Sequence, residues 1–271
     1  MASLEGKVAF ITGCARGQGR AHAVRLAREG CDIIGVDICA DIDTMDYSNA
    51  TPDDLAETMR LVEAEDRRIV ARQGDVRDFK RMQAIFDEGY AQFGRIDIVV
   101  ANAGIIRLAS EVDPEKEWDD IIGTNLKGPW ITCRVAIAKM IEQGWGGSIV
   151  MTSSTAGLKG TGTMLAGGQA YASAKRGLVG LMQVLGQELA QHSIRVNTVH
   201  PTGVISGMTM NPVMADMIAN AGPAVAAMQN ALPIPILEPE EIANAVPNHV
   251  SDQARYITGV QFPVDAGFML R

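Results

Sequence analysis

The sequence has few aromatic residues and no apolar run long enough to span a membrane. Aromatic side chains make up 5% of the 271 residues, whereas hydrophobic residues together make up 47%. This balance is typical of the aliphatic interior of an α/β protein and not of a disordered chain. The longest apolar stretches, 98–106 and 178–185 among them, are far shorter than the roughly 20 residues that cross a bilayer. We therefore expect no membrane span.

Dense basic clusters and paired cysteines are also absent. The net charge is −8, and no run of Lys or Arg is suited to a nucleic-acid backbone, so a small-molecule partner is favoured. The four cysteines form no Cys-x-x-Cys pair and the histidines no zinc spacing, so we expect reduced thiols and no metal site. The first strand-like run begins too near Met1 for a secretion signal. These features predict a cytoplasmic protein.

Short apolar runs rich in β-branched residues recur at intervals that leave room for helices. They predict strands at 7–12, 32–37, 68–73, 96–101, 148–153, 194–199 and 257–262. Helices are expected at 18–30, 53–66, 78–93, 115–142, 170–191 and 239–250. Because the strand runs lack polar alternation, they indicate a parallel sheet covered by helices on both faces. We predict one domain over residues 1–271, with a Rossmann-like doubly wound sheet of about seven strands.

Two segments interrupt this alternation. Residues 39–50 form an acidic and polar connection that is longer than most strand–helix loops, and we interpret it as an insertion. Residues 204–238 are rich in methionine and proline, and methionine readily fills irregular apolar space. The second segment is predicted to be a substrate lid; the alternative is a loosely packed surface subdomain.

A glycine-rich turn joins the first strand to the first helix. Its motif residues are Gly13, Arg16, Gly17, Gln18 and Gly19. Glycines in this position allow a tight turn and bring the backbone close to a pyrophosphate at the positive end of the helix. Asp37 ends the second strand, where a carboxylate can bind adenosine ribose hydroxyls and repel a 2′-phosphate. The sequence predicts NAD over NADP, although Arg16 leaves a contact with a phosphate open.

Tyr171 and Lys175 are four positions apart in a predicted helix, so they lie on the same face. A free phenol has a pKa of about 10 and is a poor base at neutral pH. An adjacent ammonium stabilises the phenolate, so we predict that Lys175 lowers the pKa of Tyr171. The alternative is a packed tyrosine beside a surface lysine.

The glycine turn, the Tyr-x-x-x-Lys pair and their order resemble the short-chain dehydrogenase/reductase family, and the likeness extends along most of the chain. It implies that Ser154 hydrogen-bonds a substrate oxygen, that Tyr171 exchanges a proton with it, and that Asn125 holds a helix kink and a relay water. The chain departs from the family by additional residues between Ser154 and Tyr171, within 160–169. Ser153 therefore stays a second candidate for the catalytic serine.

The same resemblance implies a set of cofactor contacts at the strand ends. Asp75 and Val76 are similar to the adenine-contacting pair, although Asp75 could act only as a cap. The resemblance gives Lys175 the nicotinamide ribose and the backbone near Val204 the carboxamide. The implied cofactor residues beyond the glycine turn are Asp37, Ile38, Asp75, Val76, Asn102, Ala103, Gly104, Tyr171, Lys175, Pro201, Gly203 and Val204.

Residues 17–22, 36–42 and 55–58 are similar to the actinobacterial carveol-dehydrogenase subgroup of that family, which also has an insertion after the second strand. This implies an NAD-dependent oxidoreductase that acts on a small secondary alcohol or ketone, such as a terpene alcohol. It further implies a tightly held NAD recycled by the redox carrier mycofactocin. The family pairs helices across subunits, which suggests a homotetramer. The alternatives are an NADP-dependent ketone or 3-oxoacyl reductase and a non-catalytic nucleotide-binding scaffold.

Overall fold

The computed structural model describes residues 4–107, 112–162, 164–220 and 229–271. Seven strands form one sheet, and every neighbouring pair is parallel. The strands are β1 (Val8–Thr12), β2 (Asp32–Asp37), β3 (Ile69–Gln73), β4 (Ile98–Ala101), β5 (Gly147–Thr152), β6 (Ile194–Pro201) and β7 (Gln261–Val264). Their order is β3-β2-β1-β4-β5-β6-β7. The predicted doubly wound sheet is therefore confirmed.

Helices connect the strands. They are α1 (Gly17–Arg28), α2 (Pro52–Glu63), α3 (Phe79–Phe93), α4 (Pro114–Ile122), α5 (Gly128–Gln143), α6 (Ala156–Lys159), α7 (Ala166–Leu189), α8 (Pro212–Asn220) and α9 (Pro239–Val250). Short 3-10 turns lie at Ala190–His192, Asp252–Ala254 and Phe268–Leu270. Among the helices of the described residues, none is long and apolar enough to cross a membrane.

The core lies on both faces of the sheet because successive strand residues point to opposite sides. Ala9, Ile11 and Ile33 belong to a buried cluster with residues of α1, α2 and α9. Phe10 and Ile34 belong to a second cluster with residues of α3, α5 and α7. Burying each large apolar side chain contributes about 1.5–3 kcal/mol, so both helix layers hold the strands in place.

The order of the strands reverses beside β1. Chain connections run outward from β1 to β2 on one side, whereas β4 pairs with β1 on the other. In doubly wound sheets, ligands bind in the crevice at the carboxyl ends of the strands at this point. A ligand is therefore expected beside the residues that follow β1, β2, β4, β5 and β6.

Several predicted boundaries differ from the structure. The single helix expected at 115–142 is divided by a π-helical turn at Gly123–Lys127. The last strand begins at Gln261, whereas the prediction began it at residue 257. Helix α7 begins four residues before the predicted position. Helix α8 lies inside the predicted lid 204–238, of which residues 221–228 are outside the described part of the chain.

Candidate active site

A cavity of about 850 Å³ opens at the carboxyl ends of the strands. Most of the predicted site residues line it: Gly13, Arg16, Gly17, Gln18, Asp37, Ile38, Asp75, Val76, Asn102, Ala103, Gly104, Ser154, Tyr171, Lys175, Pro201, Gly203 and Val204. Two others, Gly19 and Asn125, do not line the cavity but contact Gly13 and Ile105, which do. Residues far apart in the chain thus meet in one crevice.

The glycine turn packs tightly beneath this cavity. Gly13 has φ +68°, and a β-carbon there would come within 2.8 Å of the Ala103 Cα. A β-carbon on Gly19 would overlap the carbonyl oxygen of Gly13. The N-cap residue of α1, Arg16, makes no side-chain capping bond. These glycines therefore let the turn pack closely against the loop after β4, with the positive end of α1 beside the cavity.

Asp37 connects the glycine turn to the insertion. Its Oδ2 accepts from the Ala15 N–H at 2.9 Å, and its Oδ1 accepts from the Cys39 N–H at 3.1 Å. Burial raises the pKa of Asp37, and the Ala15 and Cys39 amides lower it in part. The carboxyl group is therefore held at the cavity wall by two backbone donors.

Asn102 joins the ends of β1, β4 and β5. Its Nδ2 donates to the Thr12 carbonyl at 3.2 Å, and its Oδ1 accepts from the Thr152 hydroxyl at 3.3 Å. The Thr12 Oγ1 accepts from the backbone N–H groups of Asn102 and Ala103. These bonds fix the loop after β4 against the glycine turn.

Asp75 and Arg16 make protein contacts in addition to lining the cavity. Asp75 accepts from the Arg77 N–H at 2.8 Å and pairs with the Arg77 guanidinium at 2.7 Å, so its capping role is present. The Arg16 Nη2 donates to the Ser48 carbonyl at 2.6 Å, and the guanidinium packs against Gly207. Arg16 therefore joins the glycine turn to the insertion and to the predicted lid.

The two candidate serines make different contacts. The Ser153 hydroxyl donates to the Lys175 carbonyl at 2.8 Å. Ser154 accepts from the Ala156 N–H at 3.1 Å and faces the Tyr171 phenol, whose pKa its hydrogen bonding lowers. The geometry favours Ser154 as the partner of Tyr171.

The pKa of Tyr171 does not follow the sequence prediction, and burial also shifts the pKa of Lys175. Burial raises the pKa of Tyr171, whereas the sequence predicts a lowered value. The Lys175 Nζ lies 5.5 Å from the centroid of the Tyr171 ring and donates to the Thr152 carbonyl at 2.7 Å. Burial also lowers the pKa of Lys175 to about 8. The prediction of an acidified phenol is wrong here because desolvation of the phenol is the dominant effect.

Asn125 lies in the π-helical turn between α4 and α5 and is fully buried. Its Oδ1 accepts from the Ile105 N–H at 2.8 Å, and its Nδ2 donates to the Ile105 carbonyl at 2.7 Å. This pair of bonds anchors the loop after β4 to the kink that the resemblance implied.

Sequence reasoning missed the wall that the insertion supplies. Ile42, Tyr47 and Asn49 line the cavity. The Tyr47 hydroxyl accepts from the Ile106 N–H at 3.2 Å, and burial raises the pKa of Tyr47 to about 12. Ile42 and Tyr47 in a mostly acidic and polar insertion were the available signal, because apolar and aromatic side chains are usually placed where they can be buried.

Comparison with known proteins identifies the family. Residues 7–216 match the short chain dehydrogenase family. The chain belongs to the short-chain dehydrogenases. It is 43% identical to (−)-trans-carveol dehydrogenase of Rhodococcus erythropolis, with 100% of each chain covered. The predicted family and oxidoreductase class are thereby confirmed.

Solved structures of short-chain dehydrogenases superimpose closely on this chain. Carveol dehydrogenase from Mycobacterium avium in complex with NAD gives a TM-score of 0.92 at 44% identity, covering 100% of both chains. A short chain dehydrogenase from Mycobacterium paratuberculosis bound to NAD gives 0.91 at 43% identity, covering 99% of this chain and 100% of the other. The similarity therefore extends beyond the sheet to nearly the whole length of the chain.

Proposed function

We propose that this short-chain dehydrogenase transfers hydride between NAD and a small secondary alcohol or ketone, with Tyr171 moving the proton. The observation that carries the proposal is the meeting of Tyr171, Ser154 and Lys175 in the same cavity as the glycine turn. A scaffold that only bound nucleotide would not need a phenol and a serine hydroxyl facing each other there. The Ser154–Tyr171 contact therefore favours an enzyme.

The residues of the cavity fit NAD. Gly13 and Gly19 let the turn pack closely beside the positive end of α1, and Gly17 and Gln18 of that first turn line the cavity, an arrangement that suits a pyrophosphate. Asp37 presents a carboxyl group at the end of β2, where it disfavours the 2′-phosphate of NADP. NAD is also bound in the two similar structures from mycobacteria. These observations support NAD over the NADP-dependent reductase alternative.

The side chains define a route for the proton. NAD supplies the hydride acceptor or donor. Ser154 holds the substrate oxygen against Tyr171, whose hydroxyl group exchanges a proton with that oxygen. Lys175 is held by the Thr152 carbonyl, and its pKa of about 8 keeps it mostly protonated at neutral pH. The ammonium therefore places a positive charge 5.5 Å from the centre of the Tyr171 ring, beside the expected position of the nicotinamide ribose.

Apolar side chains of the segment 204–238 line the cavity, which supports a hydrophobic substrate such as a carveol-like terpene alcohol. Met214, Met217 and Ile218 come from α8, whereas Leu232 and Ile234 come from the following segment. Methionine adapts to irregular apolar shapes. These lining residues support the proposal that the segment 204–238 covers the substrate and favours apolar ones.

Tyr171→Phe tests the assignment. The variant removes only the hydroxyl group, so we expect turnover of secondary alcohols to fall by about 10²–10⁴-fold, with NAD binding retained. Tyr256→Phe is the matched control because Tyr256 is exposed and lies outside the cavity. Steady-state rates across a panel of secondary alcohols and ketones would measure both variants and rank the substrates. Near-normal rates in Tyr171→Phe would contradict the proposal.

We further propose that NAD is held tightly and reoxidised in place by a redox carrier such as mycofactocin. The insertion supports tight binding because Tyr47 and the Arg16–Ser48 bond attach it across the cavity. Purified protein should then contain nicotinamide that survives dialysis, as measured by absorbance after denaturation. Protein that emerges without nicotinamide and turns over rapidly with added NAD alone would refute this part.

A cytoplasmic homotetramer completes the proposal. Trp130 on α5 is 44% exposed and Val184 on α7 is 61% exposed, so apolar surface of both helices is available to another subunit. The four cysteines are free and buried, which supports a reducing compartment. Light scattering during size-exclusion chromatography would measure the mass, and a stable monomer would contradict the assembly.

A further inference from the structure

Helix α7 carries Tyr171 and Lys175, but its own sequence caps it poorly. Leu165, the N-cap residue, offers no side-chain acceptor, and the first turn contains no acidic residue. An α-helix leaves its first N–H groups without partners inside the helix, and a negative charge stabilises that end. Tyr171 lies only five residues after Ala166, where α7 begins. The placement of this first turn therefore decides where the phenol lies.

Glu117 on α4 supplies the missing negative charge from a neighbouring helix. Its side chain is buried, at 3% exposure, and its carboxylate contacts the first turn of α7 at Gly167. Burial raises the pKa of Glu117, whereas the Arg107 guanidinium and the Gly167 N–H lower it. The carboxylate therefore lies directly against the first turn of α7, and its Oε1 has no hydrogen-bond partner among the described residues that would hold it elsewhere.

Gly167 is shaped to admit this contact. A β-carbon on Gly167 would overlap both the Glu117 Oε1 and the Arg107 carbonyl oxygen. Any larger residue would therefore push α7 away from α4 and from the loop after β4. Close packing of α4 on α7 thus depends on a glycine in the first turn of α7. This glycine lies within residues 160–169, between Ser154 and Tyr171.

The same contact region reaches the insertion. Arg107 is 6% exposed, and its Nη1 donates to the Thr44 carbonyl at 2.9 Å. Next to it, Ile42 and Ile121 share a hydrophobic cluster with Ala170, and the Tyr171 ring packs against that cluster. The Tyr171 ring is thus held on one side by Ile42 of the insertion, Ile121 of α4 and Ala170 of α7.

We propose that Glu117 is a positioning residue for Tyr171, holding the first turn of α7 so that the phenol faces Ser154 and the substrate oxygen. This inference rests on the proposed function, because it assumes that Tyr171 moves the proton. Misplacement of a reacting group by about 1 Å costs on the order of 10²-fold in rate. Loss of the contact should therefore lower kcat while the binding residues remain in place.

Three variants test the inference in the full-length enzyme. Glu117→Ala removes the carboxylate, and we expect kcat for a secondary alcohol to fall by about 10-fold or more while KM changes by less than about 3-fold. Glu117→Gln keeps the shape and an oxygen acceptor but loses the charge, so it should recover part of the kcat. Gly167→Ala should reproduce the kcat loss with the carboxylate present. Glu115→Ala, an exposed acid on the same helix, is the control and should leave kcat unchanged.

The outcomes separate this inference from the proposed function. Normal kcat in Glu117→Ala, or in Gly167→Ala if the first variant does not fold, would overturn the positioning role. A parallel loss of kcat, KM and bound nicotinamide without recovery in Glu117→Gln would also overturn it, because that pattern indicates general loosening. Near-normal kcat in Tyr171→Phe would instead refute the proposed function, whatever the Glu117 variants show.

Discussion

His22 is a buried histidine whose removal should make the protein more tolerant of acid. It lies on the inner face of α1 with no exposed surface. Within the described residues, neither ring nitrogen has a hydrogen-bond partner. Burial without a partner lowers the pKa of His22 to about 4. The folded protein therefore holds this ring neutral under conditions in which the unfolded chain protonates it.

The size of the effect follows from linkage between protonation and folding. An unfolded histidine has a pKa of about 6.5, so the unfolded state binds more protons than the folded state between about pH 6.5 and about pH 4. Stability is thus fully present above pH 6.5 and is lost as the pH falls toward the folded pKa. The loss amounts to about 2 kcal/mol at pH 5 and about 3 kcal/mol below pH 4.

His22→Leu should therefore be at least as stable as the wild type at pH 7.5, and its advantage should grow by about 2 kcal/mol at pH 5. Urea unfolding followed by circular dichroism at both pH values gives the free energy of unfolding of each protein. For each protein, the free energy of unfolding at pH 5 is subtracted from the value at pH 7.5. Comparing these two changes removes the contribution of every titrating group that the two proteins share. The same substitution at the half-exposed His192 serves as the control. An advantage of His22→Leu that does not change with pH would refute the reasoning.

Two further predictions concern the cofactor end of the cavity. Asp37→Ser removes the acceptor for the Ala15 and Cys39 amides and the expected ribose contact, so we expect the preference for NAD over NADP to fall by about 10-fold or more. Rates measured with each cofactor would test this, and an unchanged preference would contradict it. Tyr47→Phe leaves the Ile106 N–H without its acceptor, at a cost of about 1–3 kcal/mol. Bound nicotinamide should therefore dialyse away faster than from the wild type, and an equal rate would show that this bond does not hold the insertion closed.

Local patterns were enough to predict most of the fold. The helix predicted at 53–66 begins within one residue of its expected position, because the Thr51 side chain accepts from the Asp54 N–H and Pro52 occupies the first turn. The break at Gly123–Lys127 was not predicted as a boundary, although Gly123, Gly128 and Pro129 beside it are residue types that favour the end of a helix. Helix α8 was missed because methionine and proline in its neighbourhood obscure helical periodicity.

Electrostatic behaviour could not be derived from spacing in the same way. The four-residue separation of Tyr171 and Lys175 correctly puts both side chains at one cavity, but it gives neither their desolvation nor the partner of the ammonium. The pKa of the phenol depends on how completely neighbouring segments exclude water. That quantity belongs to packing between elements that are distant in the sequence.

The sequence by itself determined the parallel sheet, the glycine turn after β1 and the placing of Tyr171 and Lys175 on one helix face, because each depends on local periodicity or on a motif beside a strand end. Only the tertiary structure decided that Tyr47 closes over the cavity, that Ser154 faces Tyr171 while Ser153 bonds to α7, and that Glu117 contacts the first turn of α7. These contacts join segments separated by tens of residues. Their geometry is fixed by close packing of the whole chain, which no short stretch of sequence specifies.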